Sequence, residues 1–211
     1  MTHPIVGIGE LLWDVYPDGR KVAGGAPFNF AFHCHQLGHP AVIVSRVGND
    51  DLGRELRERV RELGLSDEYI QTDHEHATGT VQVTLDANAV PTYTITENVA
   101  WDFIAWDEKL KELSGQAIGL CFGSLALRRK RSKATILQAA EAVRQHDGLV
   151  VCDVNVRPPF VDMHTLRDSC VCQRWGWVKA SSDDIAFLDA HFPEGPWHDD
   201  GEWPVRILTR G

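Results

Sequence analysis

The sequence predicts an α/β fold, a mainly parallel sheet covered by helices with a small β lid beside it. Two observations carry this. Apolar runs of strand length alternate with segments of helical period along most of the chain, the pattern of strand, crossover and parallel strand. One segment, 78 to 97, breaks the rhythm with period two: Val81, Val83 and Leu85 alternate with Thr80, Gln82 and Thr84, which suits a sheet with one wet face.

Each element follows in order. Ile5 to Glu10 reads as a strand, Pro27 to Leu37 as a helix with a proline in its first turn, and Ala41 to Val47 as the next strand. Asp51 to Leu63 is a helix in which Leu52, Leu56, Val60 and Leu63 share one buried face. The lid takes strands at about 11–23 and 78–99, the second pair joined by the turn-rich stretch from Asp86 to Pro91. The α/β rhythm resumes with strands at Ala117 to Phe122, Leu149 to Val154 and Gly176 to Ala180. They alternate with helices at Lys133 to His146, Met163 to Gln173 and Asp183 to His191. After a loop from Pro193 to Pro204, a strand at Val205 to Thr209 is followed only by Arg210 and Gly211. A parallel strand is normally followed by a crossover helix, so the expectation is that a C-terminal part is missing.

Composition narrows the function. With 211 residues, 43% hydrophobic and 24% charged, the chain can bury a core. Its net charge of -9 repels phosphate backbones and anionic bilayers, so neither nucleic acid nor membrane is an expected partner. No apolar run reaches the roughly 18 residues of a spanning helix. The start, MTHPIVGIGELLWDVYP, lacks a basic leader and is interrupted by Glu10 and Asp14, so the expected compartment is the cytoplasm. Five cysteines, at 34, 121, 152, 170 and 172, fit reduced thiols, with Cys121 and Cys152 in the core.

The segment GGAPFNFAFHCHQLG, Gly24 to Gly38, sets a glycine pair and a proline before a helix, and RVGNDDLG follows with Gly48. A glycine pair lets backbone approach a ligand, and Asn29 offers a hydroxyl both donor and acceptor. Alone, this is equally a tight turn and helix cap. Ligands of open α/β sheets lie beyond the carboxyl ends of the strands, where Asp14, Arg46, Asp153, Asn155 and Arg157 fall. These residue types suit sugar hydroxyls, and the fork of Arg157 suits phosphate oxygens, although an ion pair with Asp153 is its simpler use.

The whole spacing, Gly24, Gly25, Pro27, Asn29, Ala31, Gly38 and Gly48, resembles the first signature of the PfkB (ribokinase-like) family of carbohydrate kinases. Further segments resemble the same family in the same order: GELLWD (Gly9 to Asp14), RVGNDDLG, the lid-like TGTVQVTLD and YTITENVAWDFI, CFGSLALR and DVNVRPPF, the last two most like the fructokinase branch.

The resemblance implies a truncated ribokinase-like kinase domain over 1–211 that transfers the ATP γ-phosphoryl group to a sugar primary hydroxyl, with ATP and Mg as cofactors. It implies acceptor binding by Asp14, Gly25, Asn29, Trp101, Asn155 and Arg157, with Arg157 also steadying charge. Lys179, Ser181 and Asp184 would organise phosphate and Mg, Ser181 and Asp184 standing where family members carry Asn and Glu. Thr209 and Gly211, in LTRG, resemble the start of a nucleotide loop. The family's Gly-Ala-Gly-Asp motif, which holds the base, matches nothing here; the base is expected beyond Gly211, and the 211-residue chain is expected to be inactive alone. The partner is fructose or a similar sugar, with a homodimer through the lid. The alternatives are a non-catalytic sugar- or partner-binding module and a degenerate product.

Other signals read as structure. His33, Cys34 and His35 are too close along a helix to meet on one ion. Cys170 and Cys172 lack a second ligand pair. The basic run Arg128 to Lys133 reads as a solvated helix entry. Of seven tryptophans, only Trp13 and Trp101 are placed to stack on a sugar.

Overall fold

The computed structural model describes residues 3–85, 91–160, 162–171, 175–192 and 205–209. Eleven strands form two sheets. In chain order they are β1 (Ile5–Ile8), β2 (Leu12–Val15), β3 (Lys21–Gly24), β4 (Ala41–Gly48), β5 (Ile70–Asp73), β6 (Thr80–Leu85), β7 (Pro91–Ile95), β8 (Gly119–Gly123), β9 (Leu149–Asp153), β10 (Trp177–Ser181) and β11 (Val205–Thr209). The helices are α1 (Ala26–Gln36), α2 (Asp51–Glu62), α3 (Glu108–Gln116), α4 (Lys130–Gln145), the single turn α5 (Met163–Thr165) and α6 (Ser182–His191).

Seven strands make a fully parallel sheet in the order β11-β10-β9-β8-β1-β4-β5. The chain winds outward from β1 through β4 to β5, then returns to β8 on the other side and winds outward to β11. That reversal, between β1 and β8, is where the crossovers part and open a crevice at the carboxyl ends of the strands. Strand alternation divides the core. Val6, Ile8, Val44, Leu120, Phe122 and Val150 face α3 and α4, whose Leu110, Leu113, Ile136, Ala139, Ala140 and Val143 are buried against them. Ala41 and Ile43 point the other way, onto Phe28 and Ala31 of α1 and Leu56 and Val60 of α2. Leu52 and Leu63 pack partly buried at the edge of that second cluster, so the spacing read from the sequence does mark one face. On this same side Leu149, Val151, Trp177 and Ile207 of β9 to β11 line an open surface, and among the described residues no helix covers them; Trp177 is 37% exposed.

The second sheet is the lid, in the order β3-β2-β6-β7, with β2 antiparallel to β3 and parallel to β6, and β6 antiparallel to β7. Val81 and Val83 are buried while Gln82 and Thr84 are exposed, the alternation of a half-wet sheet. Tyr93, across from Val83, remains 58% exposed because β7 is the outer strand.

Both roots of the lid are fastened. Asp50 caps α2 by accepting from Gly53 N at 2.7 Å, and the same carboxylate accepts from Thr78 N at 2.8 Å and Thr78 Oγ1 at 2.6 Å just before β6. After β7, Arg128 donates to the carbonyl of Thr96 and makes a two-pronged pair with Asp102 at 2.7 and 2.8 Å. Both side chains of that pair are buried, which corrects the reading of Arg128 as part of a solvated helix entry. Its neighbours Arg129, Lys130 and Arg131 are exposed.

Two elements have weak sequence signals. α3 carries only Leu110 and Leu113 as large apolar residues, and it begins where Asp107 caps Leu110 N at 2.8 Å. β5 is four residues long and lies at the sheet edge. No helix of the described residues is long and apolar enough to cross a membrane.

Candidate functional site

A cleft of about 1300 Å³ lies at the carboxyl ends of β1, β8, β9 and β10, bounded by the lid and the start of α1. Its walls include Asp14, Gly25, Asn29, Asp153, Asn155, Arg157 and Lys179. Five of the six residues expected to bind acceptor therefore meet in one place.

The local chain explains how. β2 and β3 pair with Leu12 opposite Gly24 and Asp14 opposite Val22, which sets the Asp14 carboxylate beside Gly24. A Cβ there would lie 2.6 Å from Asp14 Oδ2, so only glycine admits the carboxylate. The chain then turns at Gly25, whose φ of 116° is unfavourable for other residues, and enters α1 with Pro27 in the first turn. Asn29 N donates to Gly25 O at 2.9 Å, leaving the exposed Asn29 side chain on the cleft side. Burial pushes the Asp14 carboxyl above its ordinary range.

The opposite wall comes from the ends of β9 and β10. Asp153 accepts from Lys179 Nζ at 2.9 and 3.0 Å, so its cation is Lys179 and not Arg157. Burial dominates even so and raises the Asp153 pKa, with Lys179 opposing. Beyond it, Asn155 adopts a φ of 36°. Arg157 is exposed, donates from Nη1 to the carbonyl of Val156 at 3.0 Å, and keeps the rest of its fork for the cleft. This loop is anchored from beneath, because Val156 N donates to Asp184 Oδ1 at 2.7 Å.

Other expected residues lie elsewhere. Trp101 is fully buried and sits under the Arg128 guanidinium, 4.0 Å from ring centre to carbon, and it does not line the cleft. Trp13 is buried too and donates from its indole to Leu52 O at 3.1 Å. Arg46 turns to Asp73 at 2.7 Å and to the carbonyl of Phe103 at 3.1 Å, away from the crevice its strand-end position suggested. Ser181 and Asp184 cap α6 reciprocally: Asp184 Oδ2 accepts from Ser181 N and Oγ at 2.8 and 2.7 Å, and Ser181 Oγ accepts from Asp184 N at 3.1 Å. With Oδ1 held by Val156 N, both oxygens of Asp184 are engaged inside the protein. Neither residue lines the cleft, and these two side chains do not fit a direct Mg site. Thr209 ends β11 outside the cleft wall, and Gly211 lies outside the described residues.

One cleft residue carried only a weak sequence signal. Glu10 follows β1 directly, is 1% exposed, and accepts at Oε1 from Ala26 N at 3.0 Å. Burial, and more weakly Asp153, push its pKa up to about 7, against the opposing backbone N–H groups. Its signal was the carboxylate itself, set in the apolar run IVGIGELLW with no polar neighbour. Beside it, Cys121 of β8 is buried, and burial raises its thiol well above the ordinary value.

The arrangement can satisfy several hydroxyl groups from two walls and place fixed positive charge at one end. Comparison with known proteins agrees with that chemistry. The model of the pfkB family carbohydrate kinases matches residues 16–183. A fructokinase of Klebsiella pneumoniae is 30% identical over 197 residues, covering 89% of this chain and 63% of its own length. A fructokinase of Salmonella typhimurium is 29% identical over 198 residues, covering 90% of this chain and 64% of its own. The chain thus spans a little under two thirds of the length of these relatives. Among solved structures, an uncharacterized sugar kinase from Pyrococcus horikoshii in complex with ATP superposes with a TM-score of 0.78 at 26% identity, covering 98% of this chain and 70% of that one. A fructokinase from Xylella fastidiosa reaches a TM-score of 0.84 at 19% identity, covering 100% and 71%, a likeness of fold.

Proposed function

The chain belongs to the pfkB family of carbohydrate kinases, and from that premise we propose that its cleft binds the acceptor sugar of a fructokinase-type phosphoryl transfer. The observation that carries this reading is the meeting of Asp14, Gly25, Asn29, Asn155 and Arg157 in one cleft beneath the lid. Asp14 accepts hydrogen bonds from sugar hydroxyls, and the amides of Asn29 and Asn155 both donate and accept. Arg157, held by Val156 O at one nitrogen, steadies negative charge on the group being transferred. The lid excludes water when it closes over the bound sugar. ATP, the ligand of the Pyrococcus relative, is the proposed phosphoryl donor of the whole kinase. None of the 211 residues is assigned as the base that takes the hydroxyl proton, so the proposal for this chain is acceptor binding and charge stabilisation.

Calorimetric titration with fructose tests it. The expected result is saturable heat, with affinity reduced roughly tenfold or more in Asp14→Ala, the loss of a hydrogen bond to a charged group. A cooperatively folded sample that gives no heat overturns the reading.

A second reading, a non-catalytic sugar-binding module, is favoured by Asp184, whose two oxygens are taken by Val156 and Ser181. Fructose-dependent ADP release by the purified chain would rule it out.

A further inference from the structure

The cleft holds one carboxyl group to which acceptor binding, as described above, gives no task. Glu10 Oε1 holds the first N–H of α1, at Ala26, while Oε2 is buried and has no hydrogen-bond partner. A buried oxygen left unpaired is costly, and such groups are usually kept for a reason other than stability. The backbone around it is shaped to its presence. A Cβ on Gly25 would run into the Glu10 carbonyl and come within 3.2 Å of its Cγ, so the glycine turn rests directly on this residue. Above the turn stand Asp14 and Asn29; below it stands Glu10.

We propose that Glu10 is a positioning residue of the acceptor site: it holds the turn Gly24–Ala26 through Ala26 N–H, and its protonation state sets how that turn meets the sugar. This rests on the reading of the cleft as an acceptor site. The charged and titratable groups around Glu10 are Asp153 on β9, with Lys179 of β10 paired to it, Arg128 after the 3-10 turn Leu125–Leu127, and Cys121 on β8. Asp153 opposes ionisation of Glu10 and Arg128 favours it, but burial outweighs both. The neutral acid still accepts from Ala26 N–H and carries a proton on one oxygen. The carboxylate instead sets a second negative charge beside Asp153. The neutral form is therefore the competent one, and sugar binding weakens as pH rises through about 7.

The test uses the full 211-residue chain. Amide resonances of Gly25, Ala26 and Asn29 are followed from about pH 5.5 to about 8.5 without ligand, and fructose affinity is measured over the same range. The expected result is an inflection near neutrality at Ala26 in the wild type that vanishes in Glu10→Gln. Fructose affinity should fall roughly tenfold from low to high pH in the wild type, a one-unit pKa change on binding corresponding to that factor, and should be flat in Glu10→Gln. An Ala26 amide that does not titrate, an inflection that survives in Glu10→Gln, or a wild-type fructose affinity independent of pH overturns the proposal. If Glu10→Gln does not fold, the wild-type carboxyl resonance of Glu10 decides, a midpoint in the ordinary carboxylate range overturning it. If the amides behave as expected but fructose gives no heat at any pH, the turn assignment stands and the fructose reading falls.

Discussion

At the scale of single residues, two side chains carry consequences that their neighbours in sequence do not announce. The Asp102–Arg128 pair is desolvated, with Arg128 stacked over Trp101 and holding the carbonyl that follows β7. Removing one partner strands the other charge in the protein. Arg128→Met should cost about 3–5 kcal/mol in urea unfolding, and adding Asp102→Asn should recover part of it. Glu10 gives the chain a pH dependence of definite sign. Its pKa is about 7 when folded against 4.5 as the ordinary value, so the folded state binds the proton more tightly. The associated stability is fully present below about 4.5 and is lost as pH rises through about 7, a change on the order of 3 kcal/mol. Asp14 and Asp153 are shifted in the same direction, so the difference between wild type and Glu10→Gln isolates the Glu10 part. Urea midpoints of the two proteins should approach one another at acid pH and separate above neutrality. Equal separation at all pH values would refute the assignment. Asp14, Asn29, Asn155 and Arg157 were legible in the sequence because their motifs fix both residue type and place. Arg128 was not, because its partner lies 26 positions away and the intervening chain gives no period that joins them.

At the scale of elements, α6 shows how a position that resembles a chemical motif is used as a cap. Ser181 and Asp184 satisfy each other's backbone groups, and Asp184 also holds the loop that presents Asn155 and Arg157. Ser181→Ala should cost about 1 kcal/mol, the ordinary loss of an N-cap. Asp184→Ala should cost more and should also weaken fructose binding, because Val156 N loses its acceptor and the loop is released. If the two variants cost the same and bind sugar alike, the loop is held by something else. The regular strands and helices were readable because burial imposes period two and period 3.6 on the residues that face the core. α3 escaped because most of its residues are charged or polar and its packing onto α4 needs only Leu110 and Leu113. β5 escaped because an edge strand of four residues, IQTD, carries almost no pattern.

At the scale of the whole molecule, the parallel sheet, its helices and the separate lid follow from the order of periodicities along the chain. So do the family and the residue types a sugar site requires, since these are written locally, as hydrophobic alternation and as motifs of fixed spacing. The tertiary structure decided which strand-end groups face one another. Arg46 and Asp153 both end strands, yet Arg46 is drawn to Asp73 and Asp153 to Lys179, and only the second pair reaches the cleft. It likewise decided that Trp101 is core and that Glu10 lies under the acceptor turn. The physical reason is that pairing of charges and burial of polar groups depend on distances across the fold, between residues far apart in the chain, and local periodicity carries no information about those distances.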